Sequence, residues 1–108
     1  MKQVFCLGDS IRWGYEPTVV KELAGWANVV EMGGTQGGNT RNVIEHLHEW
    51  VLAKSYDIVH LNAGLHDMIR EVGPGPEPRI AVGEYRANLE KIFAALAAGA
   101  KAKVIFGL

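Results

Sequence analysis

The sequence is poor in cysteine and has no excess of charge of either sign. Its single cysteine, Cys6, excludes an internal disulfide framework and is typical of a reducing compartment, so we expect a cytoplasmic protein. The 11 basic and 12 acidic residues give a net charge of −1, whereas nucleic-acid-binding domains usually carry a basic patch. Nucleic acid is therefore not an expected partner.

Long hydrophobic runs are also absent. No apolar run approaches the roughly 18 residues that a membrane span needs. The start, Met1-Lys2-Gln3, leads into a short apolar stretch without a cleavage-like site, so neither a membrane segment nor a signal peptide is predicted. The length of 108 residues suits one domain, residues 1–108, which can bury a core without a metal or disulfide.

Short apolar runs alternate with segments of helical periodicity. The apolar runs predict strands at residues 4–7, 29–30, 58–61 and 104–106. The periodic segments predict a short helix at 17–24 with Pro17 in its first turn, a helix capped by Asn39 or Thr40, and a helix over 85–96 closed by Gly99. This alternation predicts an α/β fold with a parallel sheet covered by helices on both faces.

Polar, glycine-bearing turns follow the first three strands, at residues 8–10, 33–40 and 64–67. Ligands of open α/β sheets bind beyond the carboxyl ends of the strands, so these turns predict one site at that edge. The Gly- and Pro-rich segment 73–78 predicts a stiff surface loop, either a plain connector or one wall of the site.

Two of these turns allow more than one interpretation. Ser10 is either a helix cap or a nucleophile, because the N–H groups of a helix start favour developing negative charge. Residues 33–40 almost match the phosphate-binding pattern G-x-x-x-x-G-K-[ST], but Asn39 replaces the lysine. Phosphate or nucleotide binding by this loop is therefore a weaker alternative.

The histidines differ in what they predict. His60 is three residues from Asp57 on a strand, so the two point to opposite faces, and we expect His60 to be a partly covered core residue. His46 and His48 do not share a helix face, and no metal site is expected. His66 lies on the turn after the third strand. It is interpreted as an exposed loop residue, as an oxyanion donor or as a base for Ser10.

The three tryptophans are predicted to be packing residues, and Trp13, close to Ser10, has a pocket-lining role as its alternative. They are Trp13, Trp26 and Trp50.

Three sequence blocks in the right order resemble the SGNH, or GDSL-type, hydrolase superfamily. Residues 7–14, Leu-Gly-Asp-Ser-Ile-Arg-Trp-Gly, resemble its first block, which implies that Ser10 is the nucleophile. Residues 37–40, Gly-Gly-Asn-Thr, resemble the second block, which assigns an oxyanion N–H to Gly38. Residues 62–67, Asn-Ala-Gly-Leu-His-Asp, resemble the third block, Gly-x-Asn-Asp.

In the third block His66 stands where the family has its oxyanion asparagine. A neutral imidazole can donate one N–H, so the resemblance places His66 at the oxyanion position. Asp9, Asn39 and Asp67 belong to the same blocks and are assigned supporting roles.

The resemblance implies a flavodoxin-like three-layer α/β sandwich with strand order 2-1-3-4. It also implies that small carboxylic esters, acetyl esters among them, are cleaved through an acyl-enzyme on Ser10 without a cofactor. The expected partner is a small-molecule ester. A binding or assembly module with the same fold but no catalysis is the alternative.

The family's fourth block, Asp-x-x-His, supplies the base and its orienting acid, and no such block follows residue 67 here. We therefore expect residues 1–108 to be an N-terminal part without the fifth strand and C-terminal helix, and to be inactive or impaired alone. The strand at 104–106 should then be an open edge, which a homo-oligomer or swapped dimer would cover.

Overall fold

The computed structural model describes residues 1–32, 37–68 and 78–107. Four strands form its sheet: β1 (Lys2–Leu7), β2 (Ala27–Val30), β3 (Ile58–Leu61) and β4 (Lys103–Phe106). Four α-helices accompany them: α1 (Ser10–Glu22), α2 (Thr40–Leu47), α3 (Leu65–Met68) and α4 (Val82–Gly99). A π-helical turn, His48–Leu52, continues α2.

All strands are parallel and lie in the order β2-β1-β3-β4. Val4 of β1 is in register with Val29 of β2 and with Ile58 of β3. The predicted α/β fold and its strand order 2-1-3-4 are therefore confirmed. Because the strands are parallel, their carboxyl ends share one edge of the sheet.

The main core lies on one face of the sheet. Alternate residues of the two central strands point to this face, where they meet the apolar faces of α2, the π-helical turn and α4. The buried cluster consists of Phe5, Leu7, Val43, Leu47, Val51, Val59, Leu61, Ile92 and Leu96. The apolar residues whose helical spacing predicted α2 and α4 thus form the faces that these helices turn toward the core.

Helix α1 covers part of the other face. Its residues Tyr15 and Val19, with Leu23 at its C-terminal cap, lie beside the intervening residues of the sheet. Together they line an apolar groove whose sheet residues are Val4, Cys6, Ile58, His60 and Ile105. Ile105, on the outermost strand, is 45% exposed, so this face is covered less completely than the core face.

The helix predicted at 17–24 exists, but its predicted bounds are wrong, because α1 already begins at Ser10 and ends at Glu22. Asp9 caps this helix, with its Oδ1 accepting from the Ile11 N–H at 2.9 Å. Pro17 lies inside it, where its missing N–H leaves the Trp13 carbonyl without a helical donor. Both residues are exposed, so water can hydrate that carbonyl.

The other helix ends differ less from expectation. Asn39 caps α2, as one of the two residues predicted for that role, and accepts from the Asn42 N–H at 2.9 Å. Gly99 is the last residue of α4 rather than its cap, so the predicted cap is wrong. Ala100 follows in an extended conformation, and its N–H bonds to the Leu96 carbonyl, so no left-handed residue is needed.

The tryptophans divide into two groups. Trp50 packs against the core cluster and stacks on His46, with ring centroids 4.7 Å apart. Trp26 is 80% exposed, so its predicted packing role is wrong, and Trp13 is 41% exposed. Trp26 sits in the turn before β2, where no element covers it.

Two predicted loops fall partly outside the described residues: 33–36 of the glycine-rich loop, and 73–77 of the Gly- and Pro-rich segment. Among the described helices, none is both long and apolar enough to cross a membrane.

Candidate functional site

The turns after β1 and β2 meet at the carboxyl edge of the sheet. The Gly37 N–H donates to the Gly8 carbonyl at 2.7 Å. A Cβ on Gly37 would lie 3.0 Å from the same carbonyl oxygen, so the close approach favours glycine. This contact joins the segment of Gly38 to the segment of Ser10.

The turn after β3 joins them through Asp67. Its fully buried carboxylate accepts from the Thr40 N–H at 2.9 Å and from the Thr40 hydroxyl. Asn88 of α4 donates to the same hydroxyl at 3.0 Å. The starts of α2 and α3 are therefore tied to each other and to α4, which brings the segment of His66 to the same edge.

Ser10 is the first residue of α1 and is exposed. It follows Asp9, whose side chain is almost fully buried at 1% exposure and caps the helix. Ser10 therefore lies at the positive end of the helix dipole, which favours negative charge nearby. A small molecule can thus reach Ser10 at the positive end of a helix.

Gly38 lies just before α2, with a positive φ of 66°. Left-handed backbone is strained for residues with a Cβ, and a Cβ here would also lie 3.3 Å from the Asn42 Nδ2. The Asn42 side chain instead donates to the Gly37 carbonyl at 2.9 Å. The chain enters α2 in a fixed conformation, which sets the position of the Gly38 peptide.

His66 is the second residue of the one-turn helix α3 and is half-buried. Gly64 begins the turn with φ 147°, and a Cβ there would lie 2.8 Å from the Tyr85 hydroxyl. Tyr85 uses that hydroxyl to donate to the Ala63 carbonyl at 2.7 Å. The backbone that carries His66 is held from both sides by Tyr85 and Asp67.

The other histidines lie outside the three turns, although His60 lines a pocket next to Asp9 and Ile11. His60 is half-buried on β3, as expected, and its Nδ1 lies 3.3 Å from the Tyr15 hydroxyl. Asp57, at the opposite end of the sheet, accepts from the Gln3 N–H at 2.7 Å. Within the ranges the structure describes, no three His, Cys, Asp or Glu residues cluster as a metal site would require.

Sequence reasoning missed Arg12. Its side chain is fully buried, with NH1 2.8 Å from both carboxylate oxygens of Glu16 and Nε 3.2 Å from the Gly8 carbonyl. The Arg–Glu spacing of four residues would have been the signal for a helix here. The Gly8 carbonyl therefore accepts from both Arg12 and Gly37, which fixes the turn before Ser10.

Sequence reasoning also missed Asn62 and Tyr15. The Asn62 Oδ1 accepts from the Tyr15 hydroxyl at 2.9 Å, and its Nδ2 donates to the Asp9 Oδ1 at 3.3 Å. Burial raises the pKa of Tyr15 to about 12, with Cys6, Glu16 and Asp9 adding to the effect against Arg12. The phenol thus stays protonated and remains a hydrogen-bond donor.

A pocket opens between α1 and the end of β3. Its lining includes both sequence neighbours of Ser10, Asp9 and Ile11, and it continues with Tyr15, Asn62 and Leu65. Polar side chains are among its lining, but most of the exposed surface of the pocket is apolar, so the pocket suits an uncharged group beside Ser10.

The sequence and the structure were compared with those of known proteins. No known protein family profile matches the sequence, and no curated protein is significantly similar to it.

Solved structures, in contrast, match almost the whole chain. A GDSL-like lipase from Bacteroides thetaiotaomicron matches with a TM-score of 0.70 and 21% identity, over 97% of this chain and 47% of that chain. An acetyl xylan esterase from Geobacillus stearothermophilus matches with a TM-score of 0.77 and 21% identity, over 97% and 58%. The chain has the GDSL hydrolase fold.

A lipase/acylhydrolase from Enterococcus faecalis matches as well, with a TM-score of 0.72 and 24% identity over 98% of this chain and 56% of that one. The resemblance seen in the sequence blocks is therefore confirmed at the level of the fold. The chain spans about half the length of these structures.

Proposed function

We propose that the chain carries the nucleophile and oxyanion half of a GDSL-type serine esterase that cleaves small carboxylic esters. The observation that carries the proposal is the position of Ser10, exposed at the start of α1 directly after a central strand. The segments of Gly38 and His66 are tied to the same edge of the sheet. The fold shared with lipases and an acetyl xylan esterase supports it.

In the proposed reaction the Ser10 Oγ attacks the ester carbonyl carbon and its proton passes to a base. The tetrahedral oxyanion is stabilised by the Ser10 N–H at the start of α1, by the Gly38 N–H and by an imidazole N–H of His66. Collapse expels the alcohol, which takes the proton. Water then attacks the acyl-enzyme and releases the acid.

No residue of the chain is assigned as the base or its orienting acid. Loss of the base in a serine triad costs roughly a factor of 10⁶ in kcat, while the oxyanion donors still contribute. We therefore expect Ser10 to be acylated or phosphonylated slowly by reactive esters, with very slow turnover of ordinary ones.

The test uses a fluorophosphonate ester and mass spectrometry of the purified chain. Ser55 is the one other serine of the sequence and is exposed, so it serves as an internal control. We expect the adduct on Ser10 to form at least about 100-fold faster than on Ser55, because oxyanion donors act only at Ser10. S10A should abolish the fast adduct and S55A should not.

His66→Ala should slow the Ser10 adduct by about 100-fold, the usual effect of removing one oxyanion donor. An adduct rate at Ser10 no higher than at Ser55 would contradict the esterase proposal and favour the non-catalytic module.

A further inference from the structure

We propose that Asn62 is a positioning residue for the nucleophile. Its side-chain amide orients the Asp9 carboxylate, and Asp9 in turn fixes the first turn of α1, on which Ser10 lies. The catalytic consequence rests on the proposed function, whereas the link from Asn62 to α1 can be measured without it.

The Asp9 carboxylate needs an outside group to orient it. Its Oδ1 accepts from the Ile11 N–H at 2.9 Å and from the Asn62 Nδ2 at 3.3 Å. Its Oδ2 is buried and has no hydrogen-bond partner in the described part of the chain. The orientation of the carboxylate therefore depends on the two donors to Oδ1, and of these Asn62 is the one outside α1, directly after β3.

The Asn62 amide is itself held in one orientation. Its Oδ1 accepts from the Tyr15 hydroxyl at 2.9 Å, so its Nδ2 must face Asp9. Its backbone is fixed as well, because its N–H donates to the Leu7 carbonyl at 3.0 Å. The single phenolic proton of Tyr15 goes to Asn62, so the nearby His60 Nδ1 can interact with Tyr15 only as a donor.

The same amide packs on the turn that precedes Ser10. A Cβ on Gly8 would lie 2.2 Å from the Asn62 Oδ1 and 2.9 Å from its Cγ, so glycine makes room for it. Asn62 therefore contacts the peptide before Asp9 as well as the Asp9 side chain. A change at Asn62 should alter where α1 begins and thus where the Ser10 Oγ lies.

The test compares Asn62→Asp and Tyr15→Phe with a matched control, Asn28→Asp. Asn62→Asp keeps the size of the side chain and an acceptor for Tyr15 but places a second carboxylate against Asp9. Asn28 is an exposed residue of β2 whose amide donates to Gln3, so its replacement leaves the site untouched. Tyr15→Phe keeps the Asn62 Nδ2 as a possible donor to Asp9. It removes the hydroxyl that orients the Asn62 amide, so the amide becomes free to rotate.

Two readouts separate the structural link from its catalytic consequence. Amide hydrogen exchange of Ile11, relative to Val19 inside α1, reports on the Asp9 cap. The rate of Ser10 phosphonylation, measured at a series of reagent concentrations, gives the maximal rate and the reagent affinity separately. For Asn62→Asp we expect about tenfold faster relative exchange at Ile11, the effect of losing one hydrogen bond, with a maximal rate about tenfold lower and affinity unchanged.

Tyr15→Phe should change both quantities in the same direction by a smaller factor, and Asn28→Asp should change neither. Unchanged relative exchange at Ile11 in both Asn62→Asp and Tyr15→Phe would overturn the link. Faster exchange at Ile11 with an unchanged phosphonylation rate would overturn the positioning of Ser10. An unreactive Ser10 in the unaltered chain would contradict the proposed function, while the exchange at Ile11 would still decide the link.

Discussion

Tyr15 illustrates how much one side chain determines at this site. Its hydroxyl donates to Asn62, and its ring meets that of His60 edge-on, with centroids 5.7 Å apart. The burial that keeps this phenol protonated also makes its ionisation unfavourable in the folded chain. The stability of the protein should therefore depend on Tyr15 at alkaline pH.

Tyr15→Phe should reduce the alkaline loss of stability. The folded pKa is about 12, against an ordinary value of 10.0, so between these values the unfolded chain loses a proton that the folded chain keeps. The free energy of unfolding of the unaltered chain must then fall as pH rises through this window. Urea unfolding at several pH values within it should show a shallower fall for Tyr15→Phe.

The raised pKa values of Tyr56 and Tyr85 contribute equally to both proteins, so the difference isolates Tyr15. Equal falls in the two proteins would show that Tyr15 ionises as freely in the folded chain as in the unfolded one.

At the scale of elements, α2 depends on α3 for its start. Thr40 is fully buried, and both its N–H and its hydroxyl donate to Asp67, which is 27 residues away. The exposed ion pair of Arg41 and Glu84 joins α2 to α4 nearby. Buried donors without partners are costly, whereas water screens exposed ion pairs. The Thr40–Asp67 contact should therefore contribute much more to the free energy of unfolding than the Arg41–Glu84 pair.

Asp67→Ala should lower the free energy of unfolding by about 2–4 kcal/mol, since it leaves two buried donors of Thr40 without an acceptor. Arg41→Ala, the control on the same helix turn, should have a clearly smaller effect. Urea unfolding of both variants at neutral pH measures the difference. A loss for Asp67→Ala no greater than that for Arg41→Ala would contradict this account of α2.

The sequence predicts some of these elements better than others. The strands are short apolar runs, and the N-terminal cap of α2 is local, so both could be predicted from neighbouring residues. Helix α1 could not, because Gly14 and Pro17 suggest a break that the Asp9 cap and the buried Arg12–Glu16 pair override.

Part of the candidate site could likewise be predicted from the sequence, and part could not. The three blocks lead to Ser10, Gly38 and His66, whose proposed roles stay predictions. Asn62 and Tyr15 were missed because their hydrogen bond joins residues 47 positions apart. They meet only because β1 pairs with β3 and α1 lies against the sheet.

For the whole molecule, the two faces of the sheet are unequal. The face toward α2 and α4 is closed by buried apolar side chains, while the groove beside α1 leaves Ile105 45% exposed. In the described chain β4 also ends the sheet, with its outer edge unpaired. An apolar groove next to an open strand edge favours association with a second copy of the chain.

Sedimentation velocity should therefore show concentration-dependent association of the chain. Ile105→Lys should shift it toward monomer, because a charge in the apolar contact would lose its water. Val82→Lys is the matched control, since Val82 is 65% exposed at the start of α4, away from the groove. Identical sedimentation of the Ile105→Lys variant and the unaltered chain would contradict an interface on this face.

The central place of β1 also has a consequence for the order in which the protein folds. Val4 pairs with Val29 and Ile58, which are made 25 and 54 residues later. At a synthesis rate of about 5–20 residues per second, β3 is made roughly 3–11 s after β1, so one side of β1 stays unpaired for that time. Parallel pairings over such separations form slowly, and until they do, Asn62 is not beside Asp9. The turn before Ser10 thus acquires its final geometry only in the folding step that completes the centre of the sheet.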